Sequence, residues 1–182
     1  MDNFERRLRD ITLAPYIVKA TALIGVRRKG GSNMFRHQMS TLAILLDYKF
    51  IDEVLLKAAV IHDLFEDAQG MPGVSREEIV CIDSDGPTVY DLVMEVTRLD
   101  EPKKSYLERV MKTGSAKAKI LKLADRISNL YALGFVHEQG FVEKYLTETK
   151  EYILPYAKQI NPDMFRELSD LIADRELQLH KC

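Results

Sequence analysis

The chain has 182 residues, 46% of them hydrophobic, with 26 basic and 28 acidic side chains and a net charge of −2. This is enough apolar material for one core, so a single domain over residues 1–182 is expected, and the lack of any basic surplus or block argues against nucleic acid as a partner. Cys81 and Cys182 have no CxxC spacing, no apolar segment follows charged residues 1–7, and no run reaches the length of a membrane span; a disulfide framework, secretion and a membrane partner are disfavoured, and a cytoplasmic location is expected.

Helical periodicity dominates and no run of alternating β-branched residues stands out, so the expected fold is all-α. Residues 11–26 read as a first helix with Pro15 in its first turn, ended by the basic, glycine-rich stretch from Arg27 to Asn33. A second helix covers 34–48 and a third 51–68, closed by Gln69-Gly70-Met71-Pro72-Gly73. Ser75-Arg76-Glu77-Glu78 has the form of a capping box opening a short helix, and Asp85-Gly86-Pro87 reads as a break before a helix over 88–97. Helices over 103–111, 116–133, 140–159 and 162–179 complete the count, with Pro102 and Pro162 marking helix starts and fraying expected at the end through Cys182.

The segment Ala58-Ala59-Val60-Ile61-His62-Asp63-Leu64-Phe65-Glu66-Asp67 sets four ionisable side chains in an apolar run. On a continuous helix His62, Asp63, Glu66 and Asp67 would fan over roughly 140° of one face, and carboxylates withdrawn from water must be protonated, paired or bound to a cation. His37, early in the second helix, and Asp125, in Ile120-Leu121-Lys122-Leu123-Ala124-Asp125-Arg126-Ile127-Ser128-Asn129-Leu130, are the nearest further ligands. Taken alone, His37 reads as a structural histidine and Asp125 as an intrahelical partner of Lys122 or Asn129. Taken together with His62 and Asp63 they form a mixed nitrogen and oxygen set suited to Mn²⁺, Fe²⁺ or Zn²⁺. Lys103-Lys104 reads as a solvated turn, Lys122 and Lys144 as ambiguous, His137 and His180 as solvent-facing, and Tyr145, Tyr152 and Tyr156 as packing residues.

The set His37, His62, Asp63 and Asp125 is the four-ligand pattern of HD-superfamily phosphohydrolases. The blocks around it, Gly25-Val26-Arg27-Arg28-Lys29-Gly30-Gly31 before His37, the segment 58–67, Lys122 to Leu130, and Glu148-Thr149 through Pro155-Tyr156-Ala157, resemble the hydrolase domain of RelA/SpoT proteins and their stand-alone relatives, the small alarmone hydrolases. The likeness covers about residues 14–158. It implies a helical HD bundle with a central metal site, one Mn²⁺ held by His37, His62, Asp63 and Asp125, and an attacking water positioned by Glu66 and Asp67. Arg28, Lys29 and Asn129 would contact the substrate, ppGpp or pppGpp, and the products would be pyrophosphate with GDP or GTP. The chain departs from the family at Leu23 where many members have histidine, Met34 where an aromatic is usual, Gln38 where proline commonly follows the first histidine, and Tyr131 where arginine is often found. Loss of that guanidinium bears on nucleotide binding and keeps open an HD phosphohydrolase for another nucleotide, such as ppApp, NADPH at its 2′-phosphate or a nucleoside monophosphate, or else a weakly active nucleotide sensor.

Overall fold

A computed structural model describes residues 3–180. The expected fraying at Cys182 lies outside the described residues. Among the described residues twelve α-helices follow in order: α1 (Asn3–Asp10), α2 (Ala14–Ala20), α3 (Met34–Asp47), α4 (Glu53–Ile61), α5 (Leu64–Asp67), α6 (Arg76–Val80), α7 (Gly86–Val96), α8 (Lys103–Glu108), α9 (Ala116–Leu133), α10 (Gln139–Tyr152), α11 (Leu154–Ile160) and α12 (Pro162–Leu179). A 3₁₀ segment over Thr21–Gly25 continues α2 and a π-helical turn over Arg109–Thr113 continues α8. Among the described residues the only extended pairing is one bridge, Arg27 to Asn33.

Helix starts follow local chemistry. Asn33, Asp52, Ser75, Ser115 and Asn161 each place a side-chain oxygen on backbone N–H groups of the first turn of α3, α4, α6, α9 and α12. Ser75 bonds Glu78 N at 3.2 Å, as the capping-box spacing predicts. Pro15 and Pro162 sit in first turns, where no N–H is required.

Three expectations need correction. The helix expected over 51–68 breaks between α4 and α5: the His62 ring nitrogen Nδ1 lies 2.9 Å from Ala59 O, taking a carbonyl that a continuing helix would use, and Asp63 O accepts from Glu66 and Asp67 N to begin a new turn. The four polar side chains therefore do not share one helical face. The helix expected over 140–159 splits at Ile153 (φ −110°, ψ −54°), because Pro155 has no N–H to carry the ladder across the junction. Asp85-Gly86-Pro87 is a helix start rather than a break, since Pro87 fits the first turn of α7. The short α1 was not expected, although Phe4 and Leu8 fall at helical spacing and are its half-buried side.

The core is arranged around α9, most of whose residues from Leu121 to Leu130 are buried. It packs against α3 on one side and α12 on another, while α4 packs between α3 and α7. Leu45, Leu56, Leu64, Val93, Leu121 and Leu168 are fully enclosed where these helices meet. No described helix is long and apolar enough to cross a membrane.

Candidate metal centre and nucleotide cleft

His37 reaches inward from the first turns of α3, with Nδ1 2.9 Å from Ser128 Oγ on α9. Its Nε2 lies 3.0 Å from Asp125 Oδ1 and 3.3 Å from Asp63 Oδ2. His62 stands at the end of α4, where the Nδ1 contact with Ala59 O turns Nε2 toward the same point. That Nε2 lies 3.3 Å from Asp63 Oδ2 and 3.7 Å from Asp125 Oδ1, yet it is buried without a hydrogen-bond partner. The four residues each offer one ligand atom, all within 4.8 Å of one another.

The donor set fits a divalent first-row cation. Ligands about 2.1 Å from an ion in octahedral geometry stand roughly 3 Å apart along each edge, close to the separations between these histidine nitrogens and carboxylate oxygens. An orphaned imidazole nitrogen aimed at two carboxylates is what such an ion would satisfy. In the protein alone, burial opposes charge on His62, but Asp63 and Asp125 outweigh it and raise its pKa to about 10. Burial likewise opposes charge on Asp63 and Asp125. His62 and His37 nonetheless hold Asp63 below the ordinary carboxylate range, as Lys122 and the two histidines do Asp125. Lys122 Nζ lies 2.7 Å from Asp125 Oδ2 and 2.8 Å from Tyr106 OH, so the ambiguity over this lysine ends in a buried place beside the cluster.

Glu66 and Asp67, on α5, stand at the exposed rim. Partial withdrawal from water pushes both carboxyls up, with the Asp63 charge adding to it, while a hydrogen bond from Arg98 N to Glu66 Oε1 at 2.6 Å pulls Glu66 partly back. Beneath them a polar cavity of about 260 Å³ is lined by Asp63, Asp125, Lys103, Arg98 and Arg126 among others. It adjoins a narrower slot of about 220 Å³ with apolar walls from Val26, Leu133, Val136, Phe141 and Tyr145. Arg28, Met34, Asp67, Asn129 and Tyr145 line both.

The basic loop forms the slot's mouth. Arg28 donates to Asn129 Oδ1, and Asn129 in turn donates to Asp125, so a chain of contacts runs from the loop to the metal-side carboxylate. Lys29 Nζ lies 2.8 Å from Glu138 Oε2 and 4.2 Å from the Phe141 ring centroid. Arg28, Lys29, His37, Asp63, Glu66, Asp67, Asp125 and Asn129 thus line one cleft, with His62 in the cluster behind it.

Several cleft residues escaped the sequence reading. Lys103 is no solvated turn: its Nζ lies 2.6 Å from Glu148 Oε2 and 5.1 Å from the Tyr145 ring centroid. Tyr145, read as packing, is a wall of both cavities, with the Arg126 guanidinium 4.3 Å from its centroid. Arg126 is almost wholly buried, bonds Thr149 Oγ1 through one terminal nitrogen, and leaves Nε without a partner among the described residues. Its place directly after Asp125 was the one available signal. His137, His180 and Lys144 are exposed. Tyr131 turns away from the cleft: its hydroxyl donates to Glu167 on α12, whose other carboxylate oxygen accepts from Tyr48. The departure at this position therefore concerns the docking of α12.

A family model described as HD domain matches residues 15–150. The chain is 28% identical over 175 residues to the GTP pyrophosphokinase rsh of Brucella ovis, covering 81% of this chain but 22% of that protein, about a fifth of its length. It is 32% identical over 114 residues to the guanosine-3′,5′-bis(diphosphate) 3′-pyrophosphohydrolase MESH1 of Drosophila melanogaster, covering 60% of this chain and 58% of that one. A solved structure described as "A metazoan ortholog of SpoT hydrolyzes ppGpp and plays a role in starvation responses" superposes with a TM-score of 0.73 at 25% identity over 96% of each chain. With a helical bundle that gathers two histidines and two aspartates around one point, and a family match over most of its length, the chain belongs to the HD-domain family.

Proposed function

We propose that the protein is a Mn²⁺-dependent 3′-pyrophosphohydrolase of (p)ppGpp. The observation that carries this reading is the pairing of the four-residue cluster with the Glu66 and Asp67 carboxylates on one side and a cation-rimmed, apolar-walled slot on the other. His37, His62, Asp63 and Asp125 would hold the ion, which when bound supplies Lewis acidity to the phosphate under attack and makes water more acidic. The relatives' names support the same substrate class.

In this reading the base enters the slot against Tyr145, with Asn129 and Arg28 at the ribose and Lys29 at the mouth. The 3′-diphosphate then lies over the cluster. Glu66 and Asp67, whose pKa values burial and the Asp63 charge raise above the ordinary carboxylate range, position the water and accept its proton as it attacks the phosphorus next to the ribose 3′-oxygen. The bond to the 3′-oxygen breaks, that oxygen leaves as the hydroxyl of GDP or GTP, and the water oxygen departs in pyrophosphate. Lys103, Arg98 and Arg126 offset the charge gathering on the departing group. The exposed free thiol of Cys81 fits a reducing compartment, and we assign the reaction to the cytoplasm, as the removal of a starvation signal.

Incubation with ppGpp and Mn²⁺, followed by anion-exchange separation of products, tests the assignment. GDP and pyrophosphate are expected with the wild type, and neither with chelator, Asp63→Ala or Glu66→Ala. A folded, metal-loaded protein that leaves ppGpp intact but cleaves ppApp or NADPH would transfer the reaction to that nucleotide. Binding of ppGpp without turnover would make the protein a sensor.

A further inference from the structure

Gln38 follows His37 on α3 and is fully buried. Its amide Nε2 donates to Asp63 Oδ2 at 3.0 Å, and that same oxygen faces both imidazole Nε2 atoms at 3.3 Å. Its carbonyl Oε1 is buried without a partner. A buried orphan acceptor destabilises the fold, so packing alone would favour a methionine or leucine here. The amide must therefore serve something beyond the core.

Each of the other candidate ligands has its own outer support. His37 is held by Ser128, His62 by Ala59 O, and Asp125 by Lys122 and Asn129. Asp63 sits in the non-helical break between α4 and α5, with φ −98° and ψ 4°, where no regular helical turn fixes its side chain. Among the described residues, Gln38 is the one hydrogen-bond donor to its carboxylate from outside the cluster. We propose that Gln38 is the positioning residue of the metal centre: its N–H holds the Asp63 carboxylate so that Oδ2 points at the ion, and thereby sets metal affinity. The inference rests on the reading that the cluster binds a divalent cation.

Gln38→Met keeps the side chain's length and apolar packing while removing both the donor and the orphan carbonyl. Metal-free Gln38→Met is expected to melt at or above the wild-type temperature. Its Mn²⁺ affinity, measured by competition with a chromophoric chelator, is expected to fall about 10–100-fold, the usual cost of an outer-shell partner. Co²⁺ substitution should shift the visible d–d bands, because an untethered Asp63 carboxylate changes its mode of coordination. A merely structural role predicts the opposite pattern, a lower metal-free melting temperature with unchanged d–d bands. That pattern, a metal-free variant that does not fold, or an affinity within about threefold of wild type would each overturn the role of Gln38. If the folded wild type binds neither Mn²⁺ nor Co²⁺, the metal-centre reading itself fails, and this one with it.

Discussion

At Gly30 a side chain is excluded by backbone, not by conformation. A Cβ added there would lie 2.5 Å from Ala132 O on α9, a distance real Cβ atoms do not show. The basic loop thus rests directly on the helix that supplies Asp125 and Asn129, and this contact sets the depth at which Arg28 and Lys29 face the slot. Gly30→Ala must lift the loop. Because misplacing a positioning group by about 1 Å can cost on the order of 100-fold in rate, kcat/KM for ppGpp is expected to fall roughly 10–100-fold. Mn²⁺ affinity should fall far less, since Asn129 keeps its own hydrogen bonds to Asp125 when Arg28 moves away. Steady-state kinetics beside a metal titration separate the two effects, and an unaltered kcat/KM would show that the loop does not bear on the substrate.

Elements meet with similar economy where α6 abuts α7. A Cβ on Gly86 would stand 2.6 Å from Ile79 O and 2.7 Å from Val80 O, both backbone atoms of the preceding helix. Gly86→Ala must part the two helices, and a loss of about 2–3 kcal/mol in denaturant unfolding is expected, at the upper end for overpacking. The sequence contained part of this architecture. The bounds of α3, α9 and α12 agree with the expected helices to within a residue, and Asn33, Ser115 and Asn161 account for their starts, because a cap acts on its own first turn. His37 and Asp125 each read alone as structural residues, and it was the resemblance to the HD superfamily that joined them to His62 and Asp63, because their meeting within 4.8 Å depends on the packing of separate helices. What failed was decided by competition or distance. The break after Ile61 arises where the His62 side chain takes a backbone carbonyl that periodicity assigns to the ladder. Lys103, Arg126 and Tyr145 share a cleft only because α8 and α10 converge on α9, a long-range packing that no helical period records.

Across the whole molecule, the metal side depends on how α4 is anchored behind it. Lys57, buried midway along α4, places Nζ 2.7 Å from Asp85 Oδ2 and 3.0 Å from Asp83 Oδ2, while Tyr16 on α2 donates to Asp83 Oδ1 at 2.8 Å. One ammonium therefore joins α2, α4 and the turn before α7. Burial opposes the charge on Lys57, but hydrogen bonds to Asp85 and Asp83 outweigh it and raise its pKa above the ordinary 10.5. Burial also opposes charge on Asp83, where Tyr16 and Lys57 prevail and lower its pKa below 3.8. The signs bound a pH window. The Asp83 contribution is present above pH 3.8 and is lost as pH falls through the depressed folded value; the Lys57 contribution is present below pH 10.5 and is lost as pH rises through the raised one. Lys57→Met leaves two carboxylates beside an apolar side chain. Removing one partner of a buried pair costs about 3–5 kcal/mol, and because both carboxylates keep contact with water the expected loss near pH 7 is about 1–3 kcal/mol. Urea unfolding from pH 2 to pH 11 checks the whole curve: the deficit should be greatest in the neutral plateau and shrink at each end, first in acid as Asp83 takes up its proton. A deficit independent of pH would instead assign the loss to packing of the lysine stem along α4, and the anchoring of the metal side would then be apolar rather than ionic.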